Sequence, residues 1–284
     1  MTDAVQQTDR QRLADARRWV VKVGSALLTN DGRGLDASVV KMLADQLAAL
    51  RSGGCDVVLV SSGAIVAGLA RLNLAERPHE VHISQAAAAV GQSALVRAYE
   101  EHLGPHGVTT AQILLSHADV RARDRYLNAR STLSTLLAMN VLPIVNENDT
   151  VVTDEIRLGD NDTLAALVAN LVDADALLIL TDQDGLMDSD PRQSANAALI
   201  QTADVHDSSL DAIAGAGSAL GRGGMATKLS AARLAARSGT ATVIANGRLP
   251  DAITQVAGGA SLGTFLQTQR QPQSARKQLL ASLL

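Results

Sequence analysis

The sequence predicts an α/β protein built on a mostly parallel β-sheet that helices cover on both faces. Short runs rich in Val, Ile and Leu alternate with long Ala- and Leu-rich segments of helical period. The short runs are nearly continuous in apolar residues, as in strands that are buried on both faces of a parallel sheet. Polar and glycine-rich clusters follow several of these runs directly, where open parallel sheets bind their ligands.

The predicted strands and helices alternate along the chain. Strands are predicted at 19–23, 56–60, 108–115, 141–145, 176–180 and 240–244. Helices are predicted at 36–52, 64–72, 83–103, 123–139, 163–172 and 225–237. The Ala-rich stretch 83–98 has two interpretations, a helix that packs inside the molecule or one that packs on a partner subunit.

Composition narrows the functional classes. Of the 284 residues, 46% are hydrophobic and 19% charged, which indicates a globular core. The net charge of −4 and the aromatic content of 1% argue against a nucleic-acid partner. The single cysteine, Cys55, excludes an intramolecular disulfide and suits a reducing cytoplasm. We expect a cytoplasmic protein with no membrane segment, because no apolar stretch reaches spanning length and the N-terminus has no secretion signal.

The first two predicted strands end in residues suited to anion binding. Lys22 lies in the apolar run WVVKV, so it either reaches the strand end to meet an anion or lies on an exposed edge. Gly24 and Ser25 favour the anion, because glycine lets backbone N–H groups approach a phosphate closely. Ser62 and Gly63 precede a helix, where they either bind an anion or only cap the helix.

Two clusters of acidic and amide side chains follow. The segment NEND runs from Asn146 to Asp149, and the segment GDND contains Asp160, Asn161 and Asp162. Carboxylates and amides suit an ammonium group, a metal-bound nucleotide or a lysine that needs orienting. For Asp162, which precedes a helical segment, capping of the helix is the alternative.

The C-terminal third of the chain predicts a phosphate site. Thr181 and Asp182 end the fifth strand, where a carboxylate can meet a ribose or a nucleotide-bound metal, although Asp-Gly is also a turn signal. The segment LGRGGMATKL is not a Walker A loop, because its lysine does not follow the glycines directly. Lys228 instead falls in the first turn of a helix, where the helix dipole disfavours a cation unless an anion binds there. A solvated turn is the alternative.

No metal site built from protein ligands is predicted. The segment DQDGLMDSD is a poor calcium loop, because its glycine falls at the fourth position instead of the sixth. The histidines form no zinc-binding pattern. We expect all six of them on the surface: His79, His82, His102, His106, His117 and His206.

Six ordered motifs resemble the amino acid kinase family and, within it, the glutamate kinases. They lie between residues 20 and 232: VVKVGSALLT, VLVSSGAI, VNENDTV, GDNDTLAALVA, LTDQDGL and GRGGMATKLSAA. The resemblance covers about residues 18–268 and implies a three-layer αβα sandwich. It implies a glutamate lobe over about 18–172 and an ATP lobe over about 173–268, flanked by tails at 1–17 and 269–284.

The resemblance also implies residue roles. Lys22 and Lys228 would be catalytic lysines on either side of the transferred phosphoryl group, and Asp162 would orient them. The glutamate-binding set would be Ser62, Gly63, Asn146, Asp149, Asp160 and Asn161. The ATP-binding set would be Lys22, Gly24, Ser25, Thr181, Asp182, Arg222, Gly223, Gly224, Met225, Ala226, Thr227 and Lys228. Arg222 departs from the threonine common at that position in the family, so its role is inferred from the loop alone.

The implied reaction is ATP-dependent phosphorylation of the γ-carboxylate of L-glutamate, the first step of proline synthesis, with Mg²⁺ carried on ATP. An ionised carboxylate needs no general base, which agrees with the lack of a Ser-His-Asp or Cys-His set. Proline as a feedback inhibitor, a homo-oligomer (dimer or tetramer) and the lack of a C-terminal PUA domain are further expectations. The alternatives are acetylglutamate kinase, aspartokinase or a non-catalytic nucleotide sensor. The presence of Lys22, Asp162 and Lys228 together argues against a sensor, because a sensor needs no pair of lysines at the transferred group.

Overall fold

One eight-stranded sheet forms the centre of the molecule. A computed structural model describes residues 10–29, 34–74, 78–151, 161–189, 194, 196–215 and 224–268. The strands are β1 (Arg18–Val23), β2 (Asp56–Ser61), β3 (Thr110–Leu115), β4 (Leu142–Glu147), β5 (Ala176–Thr181), β6 (Thr202–Asp204), β7 (Ala241–Asn246) and β8 (Thr264–Gln267). Their order in the sheet is β3-β4-β2-β1-β5-β7-β8-β6.

Helices occupy the segments between the strands. They are α1 (Ser25–Leu28), α2 (Ala37–Ser52), α3 (Ala64–Arg71), α4 (Val81–Leu103), α5 (His117–Arg121), α6 (Arg123–Ala138), α7 (Asn161–Leu171), α8 (Ser209–Gly215), α9 (Met225–Ala236) and α10 (Ala252–Ala257). Each of the six predicted helices and six predicted strands is present, with ends shifted by at most two residues. The short strands β6 and β8 were not predicted, and neither were α1, α5, α8 and α10.

The predicted mostly parallel sheet is confirmed. Every strand pair is parallel except the antiparallel pair of β7 and β8. Strand β1 lies between β2 and β5, with Lys22 opposite Val60 on one side and Ile179 on the other. The first residue after β1 therefore lies at the carboxyl edge of the sheet centre, where ligands of parallel sheets bind.

The sheet has a helical layer on each face, which confirms the αβα sandwich. Successive side chains of β1 point to opposite faces. Trp19, Val21 and Val23 belong to a core shared with α2 and α4. Val20 belongs to a second core shared with α6, α7 and α9. Lys22 has the parity of Val20, so its side chain rises on the side of α7 and α9.

Helix α4 packs against α3 within the molecule, as one interpretation of stretch 83–98 expects, and packing on a partner subunit stays a prediction. Its Gly91 lies so close to α3 that an added Cβ would come 1.8 Å from the carbonyl oxygen of Ala64. The reciprocal Cβ on Gly68 would come 1.7 Å from the carbonyl oxygen of Ala87. Only glycine at both positions permits this crossing without displacement.

Neither a membrane span nor a metal cluster is present among the described residues. In this part of the chain no helix combines the length and the apolar character needed to cross a bilayer. The described residues also contain no group of three His, Cys, Asp or Glu side chains arranged to hold a metal ion.

Candidate functional site

Three charged side chains meet in the interior at the carboxyl edge of the sheet. The Nζ of Lys22 lies 2.5 Å from Oδ1 of Asp162, and the Nζ of Lys228 lies 3.1 Å from Oδ2 of the same carboxylate. The side chains are 7%, 1% and 6% exposed for Lys22, Asp162 and Lys228. The exposed-edge interpretation of Lys22 is therefore wrong, because β1 has a strand on each side and its lysine is buried.

Three separate elements carry these charges. Lys22 is the second-last residue of β1, Asp162 is the second residue of α7, and Lys228 is the fourth residue of α9. The N-terminus of α7 favours a carboxylate, while the N-terminus of α9 disfavours a cation. The carboxylate of Asp162 offsets that penalty for Lys228. The position of Lys228 at a helix N-terminus predicts an anion beside it. In the described structure the carboxylate of Asp162 is that anion.

The cluster pairs two ammonium groups with one carboxylate. Burial acts to raise the pKa of Asp162, but the charges and hydrogen bonds of Lys22 and Lys228 outweigh burial and lower this pKa below its ordinary value of 3.8. The hydroxyl of Thr227 lies 2.9 Å from Oδ2 of Asp162 and 2.8 Å from the carbonyl oxygen of Gly224, so its one proton has two acceptors within reach. Taken by themselves, these two ammonium groups and one ionised carboxylate sum to a charge of about +1.

A chain of hydrogen-bonded polar side chains lies beside the cluster. The amide nitrogen of Asn161 donates to Oγ of Ser62 at 2.7 Å and to Oδ1 of Asn146 at 2.9 Å. The amide nitrogen of Asn146 donates in turn to Oε1 of Gln92 at 2.8 Å. The structure therefore brings together three residues of the predicted glutamate set. Because Asn161 adjoins Asp162, the chain meets the charged cluster at the start of α7.

The two glycines that follow β1 and β2 shape this region. An added Cβ on Gly24 would lie 3.5 Å from Nζ of Lys22, in ordinary van der Waals contact, so this loop runs directly beside the ammonium. Gly63 has φ of 106°, a left-handed conformation that favours glycine, and it directly precedes the first residue of α3. The backbone N–H of Ser62 donates to the carbonyl of Val23 at 3.1 Å and ties the two loops together. Ser25 is exposed at the start of α1.

The predicted nucleotide residues lie on β5 and α9. Thr181 is buried at the end of β5 and donates its hydroxyl to the exposed Asp182 at 3.1 Å. Gly224 precedes the first residue of α9, and the backbone N–H groups of Thr227 and Lys228 bond to its carbonyl. Met225 and Ala226 follow it in the first turn and are half-buried.

The remaining predicted positions are less informative. Asp149 is half-buried in the turn after β4. Asp160, Arg222 and Gly223 lie outside the described residues.

Sequence reasoning missed Gln92 and misplaced two histidines. Gln92 is buried on α4, and its signal in the sequence was a single glutamine beside a glycine in an Ala-rich helix. His102 and His117 are half-buried, so the prediction that all histidines are on the surface is wrong for these two. The Nε2 of His117 lies 3.9 Å from Oε2 of the buried Glu147, because α5 begins where β3 passes the end of β4.

Comparisons with known proteins agree with this architecture. The family model described as the amino acid kinase family matches residues 17–246. Two curated proteins named glutamate 5-kinase are 59% identical to the chain, one from Chromohalobacter salexigens over 279 residues and one from Saccharophagus degradans over 272. A third, from Pseudomonas syringae pv. tomato, is 58% identical over 276 residues. These alignments cover 98%, 96% and 97% of the chain and 74%, 73% and 74% of the relatives.

Solved structures with the same fold are more distant in sequence. The UMP kinase from Bacillus anthracis has a TM-score of 0.62 at 15% identity, over 90% of this chain and 97% of that one. An isopentenyl phosphate kinase has a TM-score of 0.59 at 15% identity, over 88% of this chain and 100% of that one. The family model and the identities to the curated relatives lead to one assignment. The chain belongs to the amino acid kinase family, in which it groups with the glutamate 5-kinases.

Proposed function

We propose that this protein transfers the γ-phosphoryl group of ATP to the γ-carboxylate of L-glutamate, giving L-glutamyl 5-phosphate and ADP. The observation that carries the proposal is the pair of buried lysines, Lys22 and Lys228, held by the single carboxylate of Asp162. The 58–59% identity to curated glutamate 5-kinases supports the substrate.

The chemistry requires two anions to meet. Two unit charges about 4 Å apart repel by about 4 kcal/mol at an effective dielectric of 20, before the further charges of the nucleotide are counted. Lys22 and Lys228 offset this repulsion and stabilise the charge on the phosphoryl oxygens during transfer. The carboxylate oxygen attacks phosphorus while the bond to ADP breaks, so no proton has to be removed from the acceptor.

Asp162 is proposed as the residue that positions both lysines. Its two oxygens each bind one ammonium, so the carboxylate sets the spacing of the two cations. Two ammonium groups at this spacing attract a phosphoryl group more strongly than one would.

The two lobes are proposed to divide at about residue 172. The half-sheet β3-β4-β2-β1 comes from the first part of the chain, and the half-sheet β5-β7-β8-β6 comes from the second. Lys22 lies on the inner strand of the first half, and Lys228 lies on α9, just before β7 of the second. We place glutamate over the first half, beside Ser62 and Asn161, and ATP over the second, beside Thr181 and α9.

Mg²⁺ is proposed to enter with ATP, because triphosphate oxygens are the hard ligands that this ion prefers. Bound there, it would neutralise part of the charge of the phosphates. A cytoplasmic location fits both the use of ATP and the single cysteine.

The test is a coupled assay of ADP formation with L-glutamate, N-acetyl-L-glutamate and L-aspartate as acceptors, together with hydroxylamine trapping of the acyl phosphate. We expect turnover and trapped hydroxamate with L-glutamate and at most slow turnover with the other two. Turnover with N-acetylglutamate alone, or with none of the three, would contradict the proposal.

A further inference from the structure

The chain of amides beside the charged cluster has a direction. Asn146, in the middle of the chain, accepts from Asn161 through its carbonyl and donates to Gln92 through its NH₂ group. Asn161 uses its NH₂ group for Ser62 and Asn146, and Asn146 uses its NH₂ group for Oε1 of Gln92. Oδ1 of Asn161 is therefore left as an acceptor, and it has no hydrogen-bond partner among the residues that the structure describes.

This direction decides which group Asn161 can recognise. In the observed direction its unused Oδ1 can accept a hydrogen bond from a ligand ammonium group. If all three amides were turned over, Nε2 of Gln92 would donate to Asn146, Asn146 would donate to Asn161, and Asn161 would present N–H donors. An ammonium group has only donors, so the reversed chain could not bind it.

Gln92 lies at the inner end of the chain. It is 7% exposed, and its Oε1 accepts from Asn146. Its neighbour Gly91 is in the close crossing with α3, the helix that begins just after Ser62 and Gly63. Helix α4 therefore cannot slide relative to the loop that carries Ser62 without breaking that crossing. The carbonyl of Gln92 is thus the acceptor for Asn146 at the inner end of the chain, while Nε2 of Gln92 has no hydrogen-bond partner among the described residues.

We propose that Gln92 is a positioning residue that sets the direction of this amide chain, so that Asn161 presents an acceptor to the α-ammonium group of the substrate. Gln92 thereby contributes to the preference for an amino acid with a free amine over a dicarboxylate without one. This inference rests on the proposed glutamate kinase function and assigns to Gln92 no contact with the reacting atoms.

The test compares Gln92→Met with Gln92→Glu, using L-glutamate as substrate and glutarate, which lacks the amine, as a competitive inhibitor. The loss of one buried hydrogen bond in Gln92→Met should raise the KM for glutamate about tenfold. The Ki for glutarate, kcat and the KM for ATP should each stay within about twofold of wild type. A carboxylate at position 92 keeps the acceptor for Asn146, so Gln92→Glu should retain a nearly normal KM for glutamate.

Gln46 offers a matched control. It is also a buried glutamine whose Oε1 accepts one hydrogen bond at 2.8 Å, from the backbone N–H of Ile253, but it lies on α2 away from the amide chain. Gln46→Met should lower thermal stability by a similar amount and leave the KM for glutamate unchanged.

Three outcomes overturn the assignment of Gln92. They are equal rises in the KM for glutamate and the Ki for glutarate, an unchanged KM in folded Gln92→Met, and a strongly raised KM in folded Gln92→Glu. The last comparison decides the matter if Gln92→Met does not fold. Failure of the wild-type protein to phosphorylate glutamate is a separate result, which contradicts the proposed function before any variant is compared.

Discussion

Replacing Asp162 by asparagine probes the charged cluster most severely. The side chain keeps its size but loses its charge, and it can no longer accept from both lysines, because one of its oxygens becomes an NH₂ donor. At an effective dielectric of 20, a unit charge pair at 2.5 Å attracts by about 7 kcal/mol and one at 3.1 Å by about 5 kcal/mol. Desolvation of the buried charges offsets much of this gross attraction. Removal of one partner from a buried pair lowers the free energy of unfolding by about 3–5 kcal/mol.

The consequence for catalysis follows from the displaced lysine. Loss of one positioned donor to the transferring group lowers kcat by about 10²–10³-fold. We therefore expect Asp162→Asn to lower kcat at least about 100-fold in the coupled ADP assay, and to lower the free energy of unfolding in urea by about 3 kcal/mol or more.

Asp173→Asn is the control for loss of an ion pair. Asp173 follows the other end of α7, binds the partly exposed Arg130 at 2.5 Å and has φ of 50°, which asparagine tolerates. The Asp173→Asn variant should lower the free energy of unfolding by about 1 kcal/mol or less and leave kcat unchanged. A folded Asp162→Asn variant with a kcat within about threefold of wild type would refute the role of Asp162 in positioning the two lysines.

Acidification, removal of a hydroxyl and crowding of two helices have further expected effects. The pKa of Asp162 is lower in the folded protein than in the unfolded chain, so its ionised form stabilises the fold at pH values above the unfolded pKa. The free energy of unfolding should therefore fall as the pH drops below about 4. A urea series that shows no such fall would contradict this. Thr227→Val removes the hydroxyl donor to Asp162 and should lower kcat about tenfold in steady-state assays. The remote Thr254→Val should leave kcat unchanged. Equal kcat values for the two variants would argue against the contact between Thr227 and Asp162. Gly91→Ala brings a methyl group to 1.8 Å from a backbone carbonyl oxygen and should lower the free energy of unfolding by about 1–3 kcal/mol. The control is Gly104→Ala, whose methyl group meets no atom within 4 Å. Equal melting temperatures of the two variants in thermal unfolding would contradict the close crossing.

The architecture was largely predictable because its signals are local. Continuous apolar strands and helices of clear period are set by burial and by side-chain spacing, which the sequence displays directly. Strands β6 and β8 escaped prediction because runs of three and four residues carry little periodicity. Strand β8 pairs with β7 and β6 pairs with β8, and these partners are distant in sequence.

The site was predictable as a list of residues but not as an arrangement. Lys22 stood out because a lysine in a buried strand needs a partner, and the motif resemblance named that partner as Asp162. The parity of Lys22 with Val20 determines which face it meets, but the sequence alone does not say which helices cover that face.

Gln92 was not predictable from local pattern. A glutamine in an Ala-rich helix is common on a surface, and only the close crossing of α3 and α4 at Gly68 and Gly91 turns it inward to Asn146. The half-buried His117 has a similar explanation, since its surroundings depend on the end of β4 rather than on its own segment.

We propose that Lys22 and Lys228 act together on the transferred phosphoryl group. The most direct test is rapid-quench measurement of a single turnover, with saturating ATP and L-glutamate, for Lys22→Met and Lys228→Met, alongside calorimetric titration of ATP. We expect each variant to transfer the phosphoryl group at least about 100-fold more slowly, while the Kd for ATP changes by less than about tenfold. Transfer at the wild-type rate in either folded variant would contradict it.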